Sequence, residues 1–255
     1  MSSVMRRASA AVVLVAAVAA CAACGGQDPA VGAPPPTVPA SAPSASAAAP
    51  SSDVPLVSTP ELERALFAAV RADDAAAVRA ALARGAAIEA RGDGGQTPLV
   101  AAAKSNSVHA ARLLVEAGAD VNAKDAIEDS AFLYAGAEGY DEILALTLAH
   151  GAEVIATNRY GGTALIPASE HGHTSTVRTL IRAGVPVNHV NEPGWTALQE
   201  AIVYGDGSAR YLDVIAQLLE AGADPAIEDS NGRTALDNAK RRDQHEVAAL
   251  LRGER

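Results

Sequence analysis

Aromatic residues make up only 3% of this 255-residue chain, and its two cysteines, Cys21 and Cys24, both lie near the start. A globular core of this length ordinarily takes much of its bulk from Phe, Tyr and Trp. An Ala-rich chain short of them fits closely packed layers of helices better than a sandwich or a barrel. Beyond Cys24 there is no thiol, so no disulfide staples the remainder and no thiolate zinc cluster is available. Positive charge is also scarce: 20 Lys and Arg face 30 Asp and Glu, for a net charge of −10. Only Arg6, Arg7, Asp28 and Asp53 are charged ahead of the folded part, two of each sign, so the acidic excess lies beyond Asp53. Nucleic-acid binding along a phosphate backbone needs clustered positive charge and is disfavoured. The acidity serves solubility and mildly favours a basic or neutral partner. Catalytic signatures are missing as well: there is no nucleophile elbow, HExxH, paired cysteine or phosphate loop. Gly92-Asp93-Gly94-Gly95 has the glycines of a phosphate loop but no following Lys-Ser/Thr.

Residues 1–20 have the proportions of a cleaved export signal. Arg6 and Arg7 give a positive start, and Ala10 to Ala20 is an apolar run too short for a bilayer span of about 20 residues. Val18-Ala19-Ala20-Cys21 resembles a bacterial lipobox, small residues before a cysteine whose thiol receives a diacylglycerol. Cys21 is the expected lipidation site, with Cys24 as the alternative. The rival expectation is a plain secretory signal and a soluble secreted or periplasmic product. The paired arginines permit a twin-arginine route, though the residues after them match that motif poorly. Residues 21–57 are rich in Pro, Ala, Ser and Gly, with Pro34-Pro35-Pro36 the stiffest point. Such a segment cannot bury enough apolar surface to offset its ordering entropy and is expected to act as a disordered tether. The expected address is the extracytoplasmic side of a membrane, held through a lipid anchor with more than one acyl chain.

From residue 58 to 255 one pattern repeats. Thr97, Ser130, Thr163 and Thr196 recur at a fixed step, and Leu99, Phe132, Leu165 and Leu198 keep the same step, as do Gly85, Gly118, Gly151 and Gly184. A step of this size, roughly 33 residues, marks stacked supersecondary units. Thr97 is placed to cap a helix, Pro98 to occupy its first position, and Gly118 to end the second helix in the left-handed region. Thr97-Pro98-Leu99, then Ala101-Ala102, then Leu113-Leu114 and Gly118-Ala119-Asp120-Val121-Asn122 closely resembles the ankyrin repeat. The resemblance covers roughly Pro60 to Leu251. It implies an all-α solenoid of six helix-turn-helix units with short β-hairpin connections, the first and last repeats atypical.

Local departures carry their own expectations. Repeat three has Ser130-Ala131-Phe132 for Thr-Pro-Leu, Gly136 inside a helix and Glu128 in place of a hairpin glycine; it is expected to be the least regular. Pro167 falls in the first turn of its helix, where its penalty is below the interior value. The steps from Thr196 to Thr234 and from Gly184 to Gly222 exceed the others by the same amount, which places an insertion, expected as a loop, around Gly207 to Tyr211. His171 and His173 lack a third ligand, and the Gly172-His173 step is an ordinary helix end in the family, so no metal is expected.

The resemblance also implies function. Ankyrin repeats are binding scaffolds, and the family's contact surface is the concave side made of hairpin tips and first helices. Carried over to this sequence, the tip positions include Arg159, Tyr160, Trp195 and Arg233, and the first-helix positions include Tyr134, Glu170, His171, Glu200 and Tyr204. Tyr160 and Trp195 are loop aromatics in a chain with few, and Tyr, Trp and Arg are the types enriched in hot spots. The competing reading is that these rings merely brace the stack. Glu170 and Glu200 occupy like positions on successive helices, but an acid/base role for them is disfavoured against ordinary surface carboxylates. The expectation is a monomeric, non-enzymatic protein-binding scaffold that needs no cofactor. The alternative is an inhibitor or immunity-type protein acting on an envelope enzyme or toxin.

Overall fold

The computed structural model describes residues 59–254, and these form twelve α-helices in six antiparallel pairs. The pairs are α1 (Thr59–Arg71) with α2 (Ala75–Ala83), α3 (Pro98–Lys104) with α4 (Val108–Glu116), and α5 (Ala131–Glu138) with α6 (Asp141–Ala149). They continue with α7 (Leu165–Glu170) and α8 (Thr174–Arg182), α9 (Ala197–Val203) and α10 (Ala209–Glu220), and α11 (Ala235–Arg241) and α12 (His245–Leu251). Among the described residues there is no strand. The expected hairpins are tight turns instead, each held by two backbone hydrogen bonds, as from Asn158 N–H to Gly162 C=O with Gly161 N–H to Asn158 C=O, and from Asn191 N–H to Trp195 C=O with Gly194 N–H to Asn191 C=O. The signal, the tether, Cys21 and Cys24 lie outside the described residues.

The repeated residues do what their chemistry requires. Thr97, Ser130, Thr196 and Thr234 each accept from the backbone N–H three residues on, satisfying an orphan donor of the helix start. Leu66, Leu99, Phe132, Leu165 and Leu198 are all 1% exposed or less, and burying such a side chain is worth roughly 1.5–3 kcal/mol. Each is covered by the next repeat: α1 packs on α3, α3 on α5, α5 on α7, α7 on α9 and α9 on α11, while the second helices form a parallel row. Polar ties cross the same seams. The Asn122 side chain accepts from Glu153 N–H and donates to Gly151 C=O, and Asn188 repeats the pattern with Asp224 and Gly222.

Repeat three is regular, contrary to expectation. Ser130 caps as well as threonine does, and Glu128 takes up the positive φ of 64° that glycine has elsewhere. Gly136 is needed for packing: a Cβ there would lie 2.8 Å from Ala164 Cβ. The irregular repeat is the fourth, and Pro167 is the cause. It has no N–H to bond Thr163 C=O four residues back, so that carbonyl takes Ile166 N–H at 3.1 Å instead. Ile166 N–H is thereby lost to the Thr163 hydroxyl, which is buried without a partner, and α7 begins one residue late and is only six residues long.

The insertion in repeat five is not a loop at its far end. It extends α10 to 12 residues and buries Tyr211, whose ring lies 3.1 Å from where a Cβ on Gly172 would be. The Tyr211 hydroxyl donates to Glu170 C=O at 2.9 Å, tying repeat five back to the end of α7. Gly136→Ala tests the packing between repeats three and four. Helix propensity alone would raise stability by about 1 kcal/mol, but the contact with Ala164 is expected to lower the thermal midpoint, measured by circular dichroism; a higher midpoint would show that the glycine is not needed.

Candidate partner-binding face

The tips are built on one side chain per repeat. Asp125, Asn158, Asn191 and Asp229 open the turns of repeats three to six and keep the spacing of the repeats themselves, the longer last step included. Each turns its oxygen onto backbone N–H groups of its own turn: Asp125 onto Ile127 and Asp129, Asn158 onto Tyr160 and Gly162, Asn191 onto Trp195, and Asp229 onto Asn231 and Arg233. Such Asx turns hold the exposed tip residues in fixed directions. Sequence reading missed this set, although its regular spacing could have revealed it.

Between repeats three, four and five the tips and first helices enclose a cleft of about 360 Å³. Tyr134, Arg159, Tyr160, Glu170 and Glu200, five of the nine residues expected from sequence, line it together. Tyr160 is 52% exposed, with the Arg159 guanidinium 4.6 Å over its ring and 3.7 Å from Asp129. Tyr134 faces Tyr140, their ring centres 6.4 Å apart. The apolar part of the lining comes from Leu133, Ile166, Pro167 and Pro193.

The other four stand outside the cleft. Trp195 pairs with Tyr204 at 6.3 Å between ring centres, and Tyr204 is 59% exposed. Of the two loop aromatics, Tyr160 is exposed, whereas Trp195 is half-buried and leans on the Tyr204 ring. The His171 ring is hydrogen-bonded to Ala137 C=O at 2.8 Å and links successive repeats. Arg233 lies in the tip of repeat six, its carbonyl accepting from Gln199.

One carboxylate at this site is unusual. Glu200 is only 7% exposed. Its Oε1 accepts from Asn191 Nδ2 at 3.2 Å, and its Oε2 has no hydrogen-bond partner. Burial, followed by the neighbouring charge of Glu170, pushes its pKa up to about 7 against the opposing hydrogen bond from Asn191 and the charge of His171. Repeat six contains the same buried pair with the groups exchanged. There Asp229 is on the tip and Asn238 on the helix, Nδ2 to Oδ2 at 3.0 Å. Burial again opposes ionisation, but the Asn238 side chain and the N–H groups of Arg233 and Asn231 outweigh it and hold Asp229 below the ordinary carboxylate range.

A carboxyl whose folded pKa is raised binds more protons folded than unfolded, so its contribution to stability falls as pH rises from about 4.5 to 7. His173, held below its ordinary value by burial and His171, acts in the opposite sense as pH falls through 6.5, and a difference between wild type and Glu200→Gln removes it from the comparison. That difference in thermal midpoint is expected to widen by several degrees in favour of the Gln variant between pH 5 and pH 8; a constant difference would show that Glu200 ionises normally.

A family model described as ankyrin repeats (3 copies) matches residues 51–125 and 132–229. The crystal structure of an ankyrin repeat domain from Acinetobacter baumannii AYE is 53% identical, with a TM-score of 0.71 over 74% of this chain and 96% of that one. The ankyrin repeat protein EF0377 is 38% identical, with a TM-score of 0.72 over 76% of this chain and 98% of that one. A protein named "Putative ankyrin-containing lipoprotein Lxx09580", from Leifsonia xyli subsp. xyli (strain CTCB07), is 71% identical over 35 residues, a segment that spans only 14% of each protein. The family model, the helical pairs and the solved relatives agree: the chain belongs to the ankyrin-repeat family.

Proposed function

We propose that this chain is a protein-binding scaffold held on the extracytoplasmic side of the membrane by a lipid on Cys21, with Cys24 the alternative acceptor. The partner docks on the face made of tips and first helices, centred on repeats three to five. The observation that carries this reading is the cleft lined by Tyr134, Arg159, Tyr160, Glu170 and Glu200, flanked by the Trp195–Tyr204 pair. Tyr, Trp and Arg, the residue types that dominate binding energy, support reading these neighbouring side chains as a contact surface. The name of the Leifsonia relative and the small residues before Cys21 support the anchor.

A photo-reactive amino acid at Tyr160 or Trp195 is expected to crosslink one defined envelope protein in living cells. The same group at Arg112, exposed on the second helix of its repeat, is expected to capture nothing in common with it. Equal crosslinking from both faces would remove the proposed site. For the anchor, metabolic labelling with a radioactive fatty acid is expected to mark the wild type and to fail for Cys21→Ser. Label that persists in this variant and disappears in Cys24→Ser would move the anchor to the second cysteine.

A further inference from the structure

We propose that the cleft between repeats three and five is a socket for a lysine side chain projecting from the surface of the partner protein, with its ammonium group seated on Glu200 Oε2. The proposal rests on the reading of this face as the docking surface and deepens it by naming the chemistry it selects.

The first observation is an acceptor without a donor. Glu200 lines the cleft, is buried, and leaves Oε2 unpartnered. Leaving a buried polar atom unpaired costs free energy that a hydrogen-bonded cation would recover. The second is the charge of the lining. Asp129, Glu138, Glu170 and Glu200 face a single base, Arg159, and that base is already engaged by Asp129 and by the Tyr160 ring. A cation entering here meets an excess of acidic groups; the Tyr160 ring is already faced by Arg159 and the Tyr134 ring by Lys104, 5.7 Å from its centre, so the carboxylates and not the rings supply the attraction.

The geometry selects lysine over arginine. A bidentate guanidinium takes both oxygens of one carboxylate, and at Glu200 one oxygen is already held by Asn191. The single unpartnered oxygen is itself buried, so it is reached by a compact ammonium on a flexible stem rather than by a wide planar group. The stem would lie against Leu133, Ile166 and Pro167. A metal ion is a poor occupant, because among the described residues no three or more His, Cys, Asp or Glu side chains are grouped to hold one.

An earlier seam shows the same tip position matched from within the fold. Lys104 forms an ion pair with Asp125, and these two positions correspond, two repeats on, to Glu170 and Asn191. At the later seam the lysine is replaced by Glu170, so an internal cation has been exchanged for an anion. The incoming side chain supplies the charge that Lys104 supplies within the fold.

The test is titration calorimetry of the detergent-solubilised full chain at pH 7.5 with the acetylated tripeptide amide Gly-Lys-Gly. Parallel runs use its side-chain-acetylated form and free cadaverine. Binding of the lysine peptide is expected to weaken about tenfold or more in Glu200→Gln and on acetylation of the lysine. It is expected to be unchanged in Glu246→Gln, which removes an exposed carboxylate on α12. Circular dichroism establishes that each variant is folded. Equal binding by Glu200→Gln, by Glu246→Gln and by the wild type, or equal binding of the acetylated peptide, would overturn the proposal, and so would cadaverine binding tighter than the peptide. The broader reading fails separately. Crosslinking at Tyr160 that survives Glu200→Gln would leave the docking face standing without the lysine socket. Selective peptide binding with no crosslinked partner would leave the socket without the docking face.

Discussion

No repeat in this protein encloses its own core. A pair of short helices offers one apolar edge to the repeat before it and another to the repeat after it, and Leu66, Leu99, Phe132, Leu165 and Leu198 reach near-zero exposure only because a neighbour covers them. Burial of this kind is nearest-neighbour and additive along the stack. The ends must therefore differ. The equivalent residue of the sixth repeat, Leu236, is only half-buried, because among the described residues no further first helix packs on α11.

The same dependence on neighbours shapes the electrostatics. In repeats five and six the Asx side chain of the tip has two duties, to hold the turn and to meet the helix that follows. An aspartate can accept on both sides, as Asp229 does from its own turn and from Asn238. An asparagine accepts on one side and donates on the other, so Asn191 calls for an acceptor on α9 and finds Glu200. The exchange keeps one hydrogen bond but moves the charge from the tip, where backbone N–H groups stabilise it, to the helix, where burial and Glu170 oppose it. A single swap of donor and acceptor thus converts a structural pair into a buried acid facing an open cleft.

The fold was legible because its signals are periodic. Thr97, Leu99 and Gly118 recur at a fixed step, and each has a local reason to recur: a cap, a core contact, a left-handed residue. The relation between repeats was less legible. Gly136 looks like a weak point on propensity, yet it marks the closest approach to Ala164. Pro167 looks mild, yet it reroutes two hydrogen bonds and strands the Thr163 hydroxyl. For the candidate face, family positions found Tyr134, Arg159, Tyr160, Glu170 and Glu200, which do converge. They also named His171, whose ring is hydrogen-bonded to the preceding repeat, and Arg233, which lies in the tip of repeat six outside the cleft. The state of Glu200 depends on Asn191 in the tip of its own repeat and on Glu170 in the preceding repeat, neighbours in space that a reading of one position cannot supply.

Tyr211 joins two repeats more firmly than apolar stacking alone. Its ring fills the space left by Gly172 and its hydroxyl holds the carbonyl of Glu170, the last residue of α7. In a one-dimensional stack, fraying begins at an end and proceeds repeat by repeat. At this bolt opening of the fifth repeat must break a tie to the fourth, so amide protons of α7 and α9 are expected to exchange as one block, with the floor of the cleft protected beyond the C-terminal pair of helices.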